Sequence, residues 1–133
     1  MMLEISVDNF SDLLDMARAQ ADAQRLLMVF VSIDETGDNQ QNGGYLTPVM
    51  CVDKTPDEIG SFETLVSESS HTGQQWDIVF VAALSGKGSI APSNEDANKP
   101  LDAMIAKINM GMVSGYLAFN KQGEILEMIP NSQ

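Results

Sequence analysis

Gly86-Lys87-Gly88-Ser89 is the stretch of this sequence nearest to a phosphate-binding motif, and Asp53-Lys54-Thr55 is its natural companion. A phosphate loop cradles its ligand with backbone N–H groups and a lysine. It also needs a glycine five residues before the Gly-Lys pair, and Val81 stands there. What remains is two short polar segments, each carrying a lysine and each following an apolar run. If the runs ending at Val52 and Leu84 are strands of the same direction, their carboxyl ends share one edge of a sheet. Ligands of open sheets bind outside that edge. Lys54, Thr55, Ser85, Gly86, Lys87, Gly88 and Ser89 then form a candidate pocket for an anion or nucleotide. It would lie beside a helix N-terminus, whose free N–H groups favour negative charge.

Cys51 stands at the same edge, four residues before Thr55. A thiol near a helix N-terminus and a lysine can be activated by a lowered pKa. Strand alternation can equally turn it inward as a small packing residue. Cys51 is the only cysteine and His71 the only histidine, so neither a familiar zinc site nor an iron–sulfur ligand set can be assembled. No Gly-x-Ser-x-Gly accompanies His71, which reads as a loop residue within the polar stretch Ser69 to Gln75. Asp34, Thr36 and Asp38 begin a calcium-loop pattern. It fails at Asn39, where glycine is required, and at Tyr45, where an acid is required. No catalytic set, metal or cofactor is expected.

The elements that must position these residues follow from apolar periodicity. Phe10, Leu13, Leu14, Ala17 and Ala21 form one stripe of a helix over 8–23. Leu26 to Ile33 is apolar without alternation and predicts a strand covered on both faces. The polar segment from Glu35 to Gly44 reads as a loop. Tyr45 to Val52 predicts a second strand, at an edge or with a bulge, because Pro48 cannot donate to a ladder. Thr55, Pro56 and Glu58 open a helix with a capping box, and Ile59, Phe62, Leu65 and Val66 are its buried stripe. Trp76 to Leu84 predicts a central strand. A loop over 85–99 runs into a helix over 94–110, with Leu101, Met104, Ile105 and Ile108 inward and Gly111 as its stop. Val113 to Phe119 and Glu124 to Ile129 close the chain as a β-hairpin around Asn120-Lys121-Gln122-Gly123. Leu3 to Ser6 is a candidate short edge strand.

This order predicts an α/β fold, with α+β as the alternative. Three helices pack on a mixed sheet of about five strands, parallel at the strand–helix–strand crossovers and antiparallel in the closing hairpin. All 133 residues read as one domain, large enough to bury roughly two thirds of its unfolded surface without a disulfide or metal. Seven Lys and Arg against nineteen Asp and Glu give a net charge of −12. That balance disfavours nucleic acid, whose binding depends on clustered cations, and anionic membrane surfaces. The opening residues lack the basic and apolar regions of a signal peptide. The longest apolar runs, Leu26 to Val31 and Ile78 to Leu84, fall far short of the ~20 residues of a membrane span. A lone cysteine fits a reducing compartment, so the expected location is the cytoplasm.

The segment from Asp34 to Glu68 holds eight acidic residues against Lys54 alone, or −7 of the −12. It serves as a solvated face or as a docking surface for a basic partner. The leading expectation is thus a non-catalytic interaction or regulatory protein, the alternative being a binder or enzyme using the two lysine loops. An unpaired edge of the closing hairpin could also join two copies.

Arg25-Leu-Leu, Val49-Met-Cys-Val-Asp-Lys-Thr-Pro56, Trp76-Asp-Ile-Val-Phe-Val-Ala-Ala-Leu-Ser-Gly86 and Gly115-Tyr-Leu-Ala-Phe119 carry a resemblance over nearly the whole chain. By these segments it resembles a family of small bacterial proteins often labelled as a ribonucleotide reductase subunit. The resemblance implies an accessory partner of a larger enzyme and assigns no activity to particular residues.

Overall fold

Two cores, one on each face of a single sheet, account for where the helices lie. A computed structural model of the chain describes residues 7–34 and 45–126. In chain order the elements are α1 (Phe10–Arg18), β1 (Gln24–Asp34), β2 (Tyr45–Lys54), α2 (Pro56–Ile59), α3 (Phe62–Ser70), β3 (Ile78–Ser85), α4 (Asn94–Asn109), β4 (Leu117–Phe119) and β5 (Ile125–Leu126). The strands form one five-stranded sheet in the order β2-β1-β3-β4-β5. The class, the five strands and the three longer helices are those expected from the sequence. Every neighbouring pair, however, is antiparallel. β2 and β3 do run in the same direction, but β1 lies between them.

The unbroken apolar run of β1 has a direct structural reason. Leu26, Met28 and Phe30 face the core shared with α1, α2 and α3, while Leu27, Val29 and Val31 face the core beneath α4. A strand covered on both sides needs no polar alternation. At the edge, Phe30 is opposite Met50 and Val31 is opposite Pro48, so Val49 has no partner and forms a bulge. Pro48 therefore sits where a missing donor is tolerated, on an edge strand and at an irregularity.

Helix boundaries differ from the periodic reading at two places. The helix expected over 8–23 is capped by Asn9, whose Oδ1 accepts from Asp12 N at 2.9 Å, and ends at Arg18. Beyond it Gln20 N donates to Ala17 O at 3.4 Å, and Ala23 N donates to Gly88 O at 2.7 Å. The chain is already turning to enter β1, which leaves Ala21 exposed instead of on the buried stripe. The helix expected from Thr55 is two helices. Its capping box forms as read, but Gly60 adopts φ +75° and Ser61 caps α3 by accepting from Thr64 N at 3.1 Å. A positive φ is accessible to glycine at little cost, so the break falls there.

α4 carries its own capping box. Ser93 Oγ accepts from Asp96 N at 3.1 Å and Asp96 Oδ2 accepts from Ser93 N at 3.0 Å. Trp76 precedes β3 but is buried, donating from Nε1 to Ser69 Oγ at 3.0 Å. The strand expected from Val113 is shorter, because Tyr116 N closes a turn onto Val113 O at 3.1 Å. The readings for residues 3–6, for the loop over 35–44 and for residues 127–129 lie outside the described residues. No helix among the described residues is long and apolar enough to cross a membrane.

Candidate functional site

The carboxyl ends of β2 and β3 share one edge of the sheet, since Lys54 pairs with Leu26 and Ser85 with Gln24 of the same strand. Which face each residue takes decides what can meet there. Lys54 is opposite Leu26, whose side chain belongs to the α1–α3 core, and Lys54 Nζ lies 3.9 Å from Glu68 Oε1 on α3. Lys87 instead lines a cleft of about 390 Å³ together with Leu84, Ser85, Gly86, Ile90, Ala91, Pro92 and Asp96. The edge thus unites Ser85, Gly86 and Lys87 in one cleft and sends Lys54 to the opposite side of the sheet. The convergence of two lysines expected from the sequence does not occur.

A rigid turn builds the outer wall of this cleft. Lys87 and Ile90 exchange backbone hydrogen bonds at 2.9 Å in both directions, Gly86 N donates to Ala23 O at 2.8 Å, and Gly88 N donates to Asp22 Oδ1 at 2.9 Å. Gly86 is required by close approach. A Cβ there would overlap Ile90 O and stand 2.9 Å from Ala91 Cα. Gly86→Ala is expected to displace residues 86–91 and to cost about 1–3 kcal/mol, the usual penalty for overpacking. Chemical denaturation measures the loss, and amide shifts confined to 86–91 locate it.

The inner wall rests on Arg25. Its side chain is buried, with Nε donating to Pro92 O at 2.6 Å and Nη1 donating to Asp53 Oδ1 at 2.8 Å. Asn94 Nδ2 donates to the same Asp53 oxygen at 2.6 Å, and Glu58 Oε1 lies 3.6 Å from Arg25 Nη1. Arg25 thereby ties the start of β1 to the end of β2 and to the segment that leads into α4. No local pattern in the sequence marks this cluster, because arginine is mostly exposed and its burial against a partner is a tertiary property. The sequence reading passed over Asp96, whose place three residues after Ser93 marks a capping position.

Both helix starts near this edge are occupied by the chain's own carboxylates. Glu58 Oε1 accepts from Thr55 N at 2.9 Å, and this bond, with the Arg25 and Lys54 charges, holds the Glu58 carboxyl below its usual range despite some desolvation. Asp96 plays the same part for Ser93. Thr55 serves as the cap of α2, and Ser89 and Gly88 form the exposed tip of the turn.

Cys51 is exposed on β2, on the side facing α4, opposite Val29. Partial desolvation, then the Asp102 and Asp53 carboxylates, push its thiol above the usual value, the reverse of activation. Cys51 is therefore expected to react with maleimide at pH 7 more slowly than an unstructured cysteine peptide. Asp102→Asn should raise the rate, because removing a nearby negative charge releases more thiolate. His71 is the exposed C-cap residue of α3.

Compared with known proteins, the chain matches no protein-family model, no curated protein and no solved structure. Its chemistry therefore rests on the residues themselves.

A second feature is the outer surface of α1, α2 and α3. Asp8, Asp15, Asp57, Glu58, Glu63 and Glu68 are all exposed there. The cations of this surface are held by its own acids. Arg18 lies 3.9 Å from Asp15 and 3.6 Å from Asp57, and Lys54 lies 3.9 Å from Glu68. Arg18 Nη2 also donates to Pro56 O at 3.3 Å, fixing α1 against α2.

Proposed function

We propose that this domain is a non-catalytic interaction or regulatory protein of the bacterial cytoplasm, docking a protein partner with a basic surface. The observation that carries this reading is the excess of exposed carboxylates on the α1–α3 layer, where Arg18 and Lys54 are already paired within the layer. Charge arranged in this way speeds encounter with a basic surface and selects against acidic ones. The same field opposes nucleic acid and anionic membranes. An accessory place on a larger enzyme, implied by the family that the sequence resembles, is one form such docking takes.

The test is a pull-down from a bacterial extract, comparing the wild-type chain with a triple variant Asp57→Lys, Glu63→Lys, Glu68→Lys. A specific protein retained by the wild type, released by moderate salt and absent with the folded variant supports the reading. Equal retention by both proteins, or no specific partner at all, overturns it.

A further inference from the structure

The cleft at the end of β3 combines features that neither a phosphate site nor a simple packing defect requires. Its volume of about 390 Å³ lies within the range of small-molecule sites. Its walls are largely apolar, through Leu84, Ala91 and Pro92, and Ile90 stands at its rim with 73% of its surface exposed. Two charged residues of opposite sign, Lys87 and Asp96, line the same space. Among the described residues neither takes part in an ion pair, with the other or with anything else. Asp96 spends one oxygen on the Ser93 N–H and keeps the other.

This arrangement opposes a phosphate or nucleotide. A polyanion would meet Asp96 with only Lys87 in compensation, since Lys54 is on the other side of the sheet. A ligand carrying one charge of each sign meets no such conflict. Burying its apolar body against Leu84, Ala91 and Pro92 would supply affinity, and the two charges would fix its orientation.

We propose that this cleft binds a small amphipathic zwitterion, a free amino acid with an apolar side chain. Its carboxylate is held by Lys87, its ammonium by Asp96, and its side chain lies over Leu84, Ala91 and Pro92. The site is separate from the α1–α3 surface, so it stands or falls independently of the docking of a basic partner.

Titration of the isotope-labelled protein with L-leucine, followed by amide chemical shifts, tests this directly. Saturable shifts are expected, confined to residues 84–91 and 93–96. 4-Methylpentanoate lacks the ammonium group, leucinamide lacks the carboxylate and glycine lacks the apolar side chain. Each should bind at least about tenfold more weakly than leucine, through the loss of one charged contact or of the apolar burial. Lys87→Met should weaken leucine without weakening leucinamide. Asp96→Asn keeps an acceptor for the Ser93 N–H, and should weaken leucine without weakening 4-methylpentanoate. Absence of saturable shifts, equal binding of the analogues, or tighter binding of inorganic phosphate than of leucine overturns the proposal.

Discussion

Asp53→Ala is expected to destabilise the domain by roughly 3 kcal/mol, the lower end of the range for removing one partner of a buried ion pair. Arg25 keeps 9% of its side-chain surface in contact with solvent and Asp53 keeps 14%, so the guanidinium left behind cannot hydrate freely. It keeps the Pro92 carbonyl, the Asp53 main-chain carbonyl at 3.3 Å and the more distant Glu58, which is why the effect falls at the lower end. Urea denaturation reads the change as a shift of midpoint at constant slope. The decisive comparison is the double variant Arg25→Met, Asp53→Leu. Apolar replacement of both partners removes the stranded charge, so most of the loss should be recovered. A double variant as unstable as Asp53→Ala would show that the pair's value lies in its geometry, above all in holding Pro92 against the cleft.

Much of the frame was legible because burial imposes periodicity. β1 reads as a doubly covered strand since both its faces meet helices, and the α2 start carries its capping box in sequence. The Pro48 signal was legible for the same reason, as a proline in a strand needs an edge or an irregularity, and here it has both. What periodicity misses is where the chain must turn. Ala21 fits the α1 stripe, yet Ala23 N is committed to Gly88 O, a contact between residues sixty-five apart that no local pattern encodes. Gly60 and Ser61, which end α2 and cap α3, interrupt an apolar spacing that runs on through Phe62 and Leu65, so periodicity alone shows one helix.

The candidate site was legible only in part. The carboxyl ends of β2 and β3 share an edge because both run antiparallel to β1 between them, not through the parallel crossover that the element order implies. The face a side chain takes depends on register, and one residue of register reverses it. Pairing Leu26 with Lys54 sends that lysine toward Glu68, and no sequence pattern fixed this pairing. Asp96 and Pro92 enter the cleft from a loop–helix junction whose position depends on Arg25, a tertiary contact.

Phe10→Ala should be the most damaging single truncation on the α1 side, at about 3–5 kcal/mol for removing a buried aromatic ring. Phe10 is fully buried, with its ring centroid 4.9 Å from that of Phe62 on α3 and 5.3 Å from that of Phe119 on β4. Its backbone works in the same direction. Phe10 N donates to Gly123 O at 2.8 Å and Ile125 N donates to Asp8 O at 3.2 Å, joining the start of α1 to the closing hairpin. One side chain thus braces α1, α3 and the β4–β5 hairpin at their common meeting point. Against a total stability of ~5–15 kcal/mol for a typical domain, its loss should leave the fold close to unfolding at physiological temperature. Phe10→Leu, which keeps much of the volume, should cost far less and separates the cavity from the polarity of the site. Thermal denaturation of the two variants gives the comparison. A loss below ~1 kcal/mol for Phe10→Ala, the size of an ordinary surface effect, would mean that α1 is only loosely held. Asp8 and Asp15 would then have no fixed place beside Asp57 and Glu63, and the acidic layer would act as diffuse charge instead of a shaped surface.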